Sequence, residues 1–419
     1  MTIKLIYAFL RFGSLPAGLF LFWLGWTLPL PQSWITVPLV LVKAFILLLA
    51  LLLTLTGALV IQNVTFSRNR ANLNPNLTIE TWPITNDRLH NATVDMVWYR
   101  DAFYLAHAAS PFHFGTERSS ILIKRSTDGY VWEQVAKIRP GQEDVRDPTF
   151  AVIGETLFLY VFLNKETQPL PYTTRTTWTE DGKNWSELNS IGHEGWLFWR
   201  PKTCDGQTWY VPAYWHKFHR NALFATRDGL SFERVADISI GRFVNEPEIE
   251  FLTDGRMLAT GRADYLKKSF HQVIGIPQTS TIISVAEPPY MQWEETGESL
   301  VTRLDGPVMF SHNGRVYAVG RAHPHNGAVF PRRGAVISKK RTAIYEVRLD
   351  GLTHISDLPS CGDTSYPGTV VRDGFVYIAY YTNNIRRDYI WLFGMLEPTE
   401  IRIAKFSLTD LEQITEKVK

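Results

Sequence analysis

Five short segments carry the side chains best suited to chemistry, and each sets its residues directly before a proline: Arg146-Asp147-Pro148, Trp199-Arg200-Pro201, Asn245-Glu246-Pro247, Asp305-Gly306-Pro307 and Ser365-Tyr366-Pro367. Proline has no amide N–H, so it opens a strand without needing a ladder partner. If the five are inner-strand starts of a closed β fold, their side chains converge on one central channel, where ligand sites are built. A wet channel would explain polar residues there. Asp147, Glu246, Arg146, Arg200 and Tyr366 on a common face exceed what solvation requires, and together they suit the binding of a polar ligand.

The elements that must hold these residues repeat. Six segments read hydrophobic strand, polar turn, then a second strand rich in Tyr, Val and Ala, with turns at Arg100-Asp101, Ile153-Gly154, Asp205-Gly206, Asp254-Gly255, Asn313-Gly314 and Asp373-Gly374. Glycine tolerates the positive φ of a tight hairpin. Successive turn glycines lie 52, 49, 59 and 60 residues apart, and four short strands in roughly 50 residues are the mark of a propeller blade. The expected fold is all-β, a six-bladed β-propeller. A second repeat supports it: Ser126-Thr127-Asp128-Gly129-Tyr130-Val131-Trp132, Thr179-Glu180-Asp181-Gly182-Lys183-Asn184-Trp185 and Thr226-Arg227-Asp228-Gly229-Leu230-Ser231-Phe232, with a worn copy at Arg348–His354. In each, the Asp accepts amides of its own turn, Gly takes the left-handed position, and the aromatic ring packs back between strands. These motifs hold blades together.

A net charge of +2 on 419 residues provides no field for nucleic acid. Cys204 and Cys361 are too few for a disulfide framework and have no zinc-type spacing. His216/His219 and His323/His325 are paired in sequence, but such pairs on strand ends are usually ordinary polar residues, so neither metal nor cofactor is expected.

Residues 12–30 and 44–62 are uncharged apolar runs, each near the ~20 residues that span a bilayer core. Neither resembles a short cleavable signal. Lys4 and Arg11 precede the first and Arg68 and Arg70 follow the second, with only Lys43 between. By the positive-inside rule both ends are cytoplasmic, giving a two-span hairpin with the propeller in the cytoplasm. Asn-x-Ser/Thr triplets at Asn63, Asn76, Asn91 and Asn184 pull weakly the other way. The expected organisation is residues 1–65 as two transmembrane helices, 66–90 as a linker, and 91–419 as the propeller. Within the linker, residues 77–81 are expected to form a strand that closes the ring and removes its open edge.

With these residues in place, the segment from about residue 91 to 410 resembles the sialidase (neuraminidase) superfamily. The repeats that pair a hydroxyl with Asp-Gly are similar to that family's aspartate boxes. Asn245-Glu246-Pro247 through Gly261-Arg262 looks like its fourth blade, where a Glu opens the inner strand and an Arg ends the next, and Val211-Pro212-Ala213-Tyr214 is similar to its third-blade strand. Ser365-Tyr366 stands where the family has its catalytic Tyr. The resemblance implies Tyr366 as nucleophile, Glu246 as its base, Arg262 in a cluster gripping a substrate carboxylate, and Arg321 as a further member. Physical chemistry fits these roles. A phenol with an ordinary pKa near 10 needs a carboxylate to take its proton, and an Arg fork suits a planar carboxylate.

Two positions depart from the family pattern. His90-Asn91-Ala92-Thr93-Val94-Asp95 has no Arg and no Pro, and Ser110–Thr116 has no Asp to serve as acid. Asp147 or His113 is left as the candidate acid, and Arg146 or Arg200 as the replacement Arg. The resulting reading is a membrane-anchored sialidase-like glycoside hydrolase with a carbohydrate, an acidic sugar, as ligand. The alternative is a non-catalytic glycan-binding or scaffolding propeller, which the absent acid favours. A channel plugged by its own side chains is the third.

Overall fold

A computed structural model describes residues 2–28, 36–114, 116–141, 143–164, 173–217, 219–240, 243–264, 279–324 and 336–416. They fall into two compact units, one of residues 1–69 with 386–389 and one holding the rest.

The larger unit is a six-bladed β-propeller, each blade a four-stranded antiparallel sheet. The inner strands run His90–Tyr99, Asp144–Ile153, Trp196–Phe198, Val244–Phe251, Asp305–His312 and Thr364–Arg372. The six expected hairpin turns each join a first strand to a second. Every sheet has a neighbour on both faces, which is why second strands such as Thr156–Asn164 are almost wholly buried and read as unbroken apolar runs. Six buried apolar clusters each join adjacent blades, as where Val94, Met96, Phe103 and Leu105 of blade 1 meet Val370, Ala379, Tyr381 and Ile403 of blade 6.

The ring closes through Glu80–Pro83, which supplies the outer strand of blade 6 by pairing with Glu400–Ser407. This strand starts three residues later than the expected residue 77, because Leu77 donates its amide to the Asn74 carbonyl in a turn and buries its side chain under blades 5 and 6.

The Asp-Gly turns bond as the pattern requires. Asp128 Oδ1 accepts the amides of Tyr130 and Val131 at 2.8 and 2.9 Å, and Gly129 N–H donates to Ser126 Oγ at 2.9 Å. Asp181 and Asp228 repeat this, and so does Asp205 with Thr203, a copy that sits in the first hairpin of blade 3. A Cβ on Gly182 would lie 1.9 Å from Tyr104 Oη, so glycine is required there. Trp132, Trp185 and Phe232 each pack onto a cluster between two blades, with only Phe232 fully buried. At Arg348–His354 the hydroxyl is gone and Asp350 is one of two residues between paired strands.

The smaller unit holds two helices long and apolar enough to cross a membrane, Lys4–Thr27 and Leu39–Phe66. They include most of the two apolar runs; residues 29 and 30 lie outside the described residues. Small residues let the backbones meet. A Cβ on Gly18 would lie 2.3 Å from Thr54 Oγ1, and one on Gly57 2.6 Å from Ser14 Oγ, the close approach typical of helix pairs in lipid. Lys43 Nζ donates to the Leu28 carbonyl at 3.0 Å, capping the end of the first helix.

Candidate active site at the propeller axis

The strand starts are bulged, and the bulges aim the chemistry. In five of the six inner strands one extra residue breaks the register against the second strand: between 92 and 94, 146 and 149, 245 and 248, 305 and 308, and 365 and 368. The residue at each bulge has positive φ: Thr93 (42°), Asp147 (50°), Glu246 (48°), Gly306 (50°) and Tyr366 (46°). In four of them proline follows, where the ladder would miss an N–H in any case. A left-handed conformation costs a non-glycine residue about 1–2 kcal/mol, so four such residues at one end of the channel make it a strained surface.

Two of these residues meet although blade 5 lies between them. Tyr366 Oη, from blade 6, donates to Glu246 Oε1, from blade 4, at 2.7 Å. Arg262 Nη1 donates to the same oxygen at 2.6 Å, and the Gly306 amide donates to Oε2 at 2.8 Å. Gly306 is glycine for a second reason besides its φ: a Cβ there would lie 2.3 Å from Cδ1 of Tyr366. Burial, with the Glu246 charge added to it, pushes the Tyr366 phenol well above its ordinary range, against the opposing pull of Arg321 and Arg262. The phenol is therefore inert until a base takes its proton, and Glu246 is in place to do so.

Arg321 stacks its guanidinium 4.8 Å from the centre of the Tyr366 ring. It is fixed from behind by the Thr364 carbonyl at 2.8 Å, Asp363 Oδ1 at 2.9 Å and Tyr381 Oη at 2.5 Å. Arg262 also faces Asp305 at 3.4 Å and Asp264 at 3.5 Å. Arg303 braces these two acids, bonding Asp305 through Nε at 2.7 Å and Asp264 through Nη1. His323 adds a third contact to Asp305 at 2.8 Å. Burial alone would raise the Asp305 carboxyl, yet Arg262, Arg303 and His323 hold it well below the usual carboxylate range.

Asp147 lies in the blade 2 bulge, half-buried, with its amide donating to Thr93 Oγ1 at 3.2 Å. Burial raises its pKa to about 7; Glu246 and Asp144 add to the rise and Arg146 opposes it. Arg146 itself is bound to Asp144, with Nε at 2.7 Å from Oδ2.

Blade 3 departs from the expectation: its short inner strand, Trp196–Phe198, has no bulge and ends before Trp199-Arg200-Pro201, which therefore follows the strand and does not start it. The Arg200 guanidinium bonds Asp95 Oδ1 at 3.2 Å and the carbonyls of Pro307 and Pro367 at 2.9 and 2.6 Å, and stands 3.5 Å from Glu248. Lys202 follows, pairing with Glu248 at 3.1 Å and Glu250 at 2.8 Å. These residues fill the channel beneath Tyr366 with a buried polar plug.

The axis thus brings together Tyr366, Glu246, Arg262 and Arg321, with Asp147 close enough to sense the Glu246 charge. Arg146 and Arg200 are committed to partners of their own. Asp264, Arg303, Asp305, Asp363 and Tyr381 escaped sequence reasoning. Asp305 had a signal, standing directly before Gly306-Pro307, and so did Asp264, two residues after Arg262. His113 Nδ1 lies 2.5 Å from Asp363 Oδ2. Of the histidine pairs read from sequence, His216 bonds the Gly195 carbonyl and His219 packs edge-on to Phe243. His325 lies outside the described residues.

No family model and no curated protein matches the chain. Solved structures do match in fold. A protein of unknown function from Dyadobacter fermentans superposes with a TM-score of 0.58 at 15% identity, covering 80% of this chain and 100% of its own. Trypanosoma rangeli sialidase in complex with sialic acid gives 0.56 at 11% identity, over 83% of this chain and 62% of that one. The endosialidase of phage phi92 gives 0.56 at 11%, over 79% and 69%. The structural neighbours of this propeller thus include sialidases and an endosialidase. The chain spans about three-fifths of the trypanosomal enzyme.

Proposed function

We propose that the axial site is that of a retaining glycoside hydrolase acting on an acidic sugar of the sialic acid type. The observation that carries this reading is the 2.7 Å hydrogen bond from the Tyr366 phenol to Glu246, made by two strained bulge residues from different blades. In the first step Tyr366 Oη attacks the anomeric carbon while Glu246 takes the phenolic proton. The bond to the leaving oxygen breaks as that oxygen receives a proton from Asp147. In the second step water attacks the glycosyl–tyrosine linkage, Asp147 takes its proton, and Glu246 returns the first proton to Tyr366. A neutral nucleophile avoids the repulsion that a carboxylate would meet at a sugar bearing its own carboxylate. The elevated Asp147 pKa of about 7 keeps part of that carboxyl protonated at neutral pH, as a general acid requires.

Arg262 and Arg321 are the residues that would face the sugar carboxylate, while Arg146 is held by Asp144. Arg200 is assigned to the plug, because its donors are engaged with Asp95 and two carbonyls. We further propose that the two apolar helices anchor the propeller in a membrane with both chain ends cytoplasmic, from Lys4, Arg11, Arg68 and Arg70 flanking them.

One observation favours a second reading, a non-catalytic glycan-binding propeller: Arg262 and Arg321 already have carboxylate partners in Glu246 and Asp363. Turnover separates the two. Under the hydrolase reading the protein cleaves a sialoside with an activated aryl leaving group, and Tyr366→Phe and Glu246→Gln each lose it by orders of magnitude. A folded protein that binds the glycan but never cleaves this substrate is a binding module.

A further inference from the structure

A second cluster lies where blade 1 meets blade 6. His90 opens the inner strand of blade 1, His113 stands in the loop after its second strand, and Asp363 directly precedes the inner strand of blade 6. Asp363 Oδ2 lies 2.9 Å from His90 Nε2 and 2.5 Å from His113 Nδ1. All three atoms are within 4.8 Å of one another.

The His90 ring sets the chemistry. Its Nδ1 lies 2.9 Å from the Glu397 carbonyl oxygen, which can only accept, so Nδ1 carries a hydrogen. A neutral imidazole has one N–H, and with that one facing Glu397, Nε2 turns a lone pair toward a carboxylate oxygen 2.9 Å away. Two lone pairs at that distance repel. The ring is 1% exposed, which leaves little room for water to relieve the contact. A cation placed between the two atoms would relieve that contact.

We propose that His90, His113 and Asp363 bind one divalent transition metal, zinc by preference. Two imidazole nitrogens and one carboxylate oxygen form a three-ligand zinc set with a fourth position open. His113 lies on the open side, its side chain 24% exposed while that of Asp363 is fully buried. The carbonyl behind His90 is the partner that metal-bound histidines use to fix their tautomer. Asp363 is held by its other oxygen alone, Oδ1 accepting from Arg321, Tyr381 and the Trp391 indole at 2.9, 3.0 and 2.8 Å, so Oδ2 is left as the ligand atom. Ligand atoms around tetrahedral zinc stand about 3.3 Å apart, from bond lengths near 2.0–2.1 Å. Binding thus lengthens the two contacts to Asp363 Oδ2 by less than about 1 Å, and His113, on its partly exposed loop, is the member placed to move. The metal would tie blade 1 to blade 6 behind Arg321, whether or not the axial site hydrolyses a sugar.

The test uses the full chain in detergent, stripped with a chelator, then titrated with zinc chloride against a chromophoric chelator and assayed for retained metal after desalting. The expected result is one zinc per chain and a rise in melting temperature on adding it. His113→Ala should bind on the order of a hundredfold more weakly, with the thermal rise lost, while His219→Ala, altered outside the cluster, should behave as wild type. Cobalt(II) should give the visible absorption of a four-coordinate site in the wild type and not in His113→Ala. Failure of the wild type to retain zinc would overturn the proposal. Retention of one equivalent undiminished in His113→Ala would equally overturn it, placing the metal elsewhere.

Discussion

Replacing Arg200 by Met tests whether the channel beneath Tyr366 is a plug. The side chain is 8% exposed and its guanidinium serves Asp95, Glu248 and the carbonyls of Pro307 and Pro367. Methionine fills a similar volume without charge, so the loss is mainly electrostatic. Lys202 remains at 3.1 Å from Glu248, but Asp95 has no other cation among its described partners. Removing one member of a buried ion pair costs about 3–5 kcal/mol, and the same magnitude applies here, because the two orphaned carbonyls belong to the same unit and do not add independently. The pH dependence sharpens the test. Burial already raises the carboxyls of Asp95 and Glu248, with Arg200 opposing the rise in both; without it both rise further. A carboxyl raised in the native state contributes stability that is fully present below its unfolded pKa of about 4 and is lost as pH climbs through the native value. The variant's deficit against wild type should therefore be small near pH 4 and grow toward neutrality. Urea unfolding followed by tryptophan fluorescence at several pH values measures it. A deficit under about 1 kcal/mol, or one that does not change with pH, would refute the plug.

Two further outcomes follow from the site and from the helices. Hydrolysis of a sialoside with a poor leaving group should fall as pH rises through about 7, where Asp147 deprotonates, and Asp147→Asn should abolish it while sparing the first-turnover burst of aryl release from an activated aryl sialoside, whose later turnovers slow for want of the base; loss of that burst as well would remove Asp147 from the acid's role. The full chain should stay with membranes after alkaline extraction, and a form beginning at Arg70, where the second compact unit starts, should be soluble and folded; full-length protein in the soluble fraction would rule out the anchor.

The architecture was legible because blades share local instructions: a turn glycine in blades 2 to 6, a hydroxyl–Asp–Gly bend in blades 1 to 3, and a proline in the inner-strand bulge of blades 2, 4, 5 and 6. Glu246 and Tyr366 were legible through those prolines and through the resemblance of their flanking segments to sialidase blades. What the chain does not display is conformation at the bulges. Thr93 adopts the same left-handed geometry as Glu246, yet a β-branched residue with no following proline signals nothing of the kind. Nor does local sequence reveal partners made by ring closure. Arg200 meets Asp95 and Pro367 at separations of 105 and 167 residues, and His90 meets Asp363 across 273. Sequence offered Arg200 as a replacement for the missing Arg; one carboxylate and two carbonyl acceptors engage it instead. The pairing of Arg262 and Arg321 with acids likewise depends on Asp305 and Asp363, each at a strand start of another blade.

Covalent capture at Tyr366 is the measurement that bears most directly on the hydrolase reading. The full chain is incubated with a 2,3-difluorinated sialic acid, whose second fluorine slows breakdown of the glycosyl intermediate, then digested and read by tandem mass spectrometry. A glycosyl adduct localised to Tyr366, absent in Tyr366→Phe and strongly reduced in Glu246→Gln, is the expected result. An unmodified Tyr366 in a folded protein that binds the sugar, or an adduct on another residue, would contradict it.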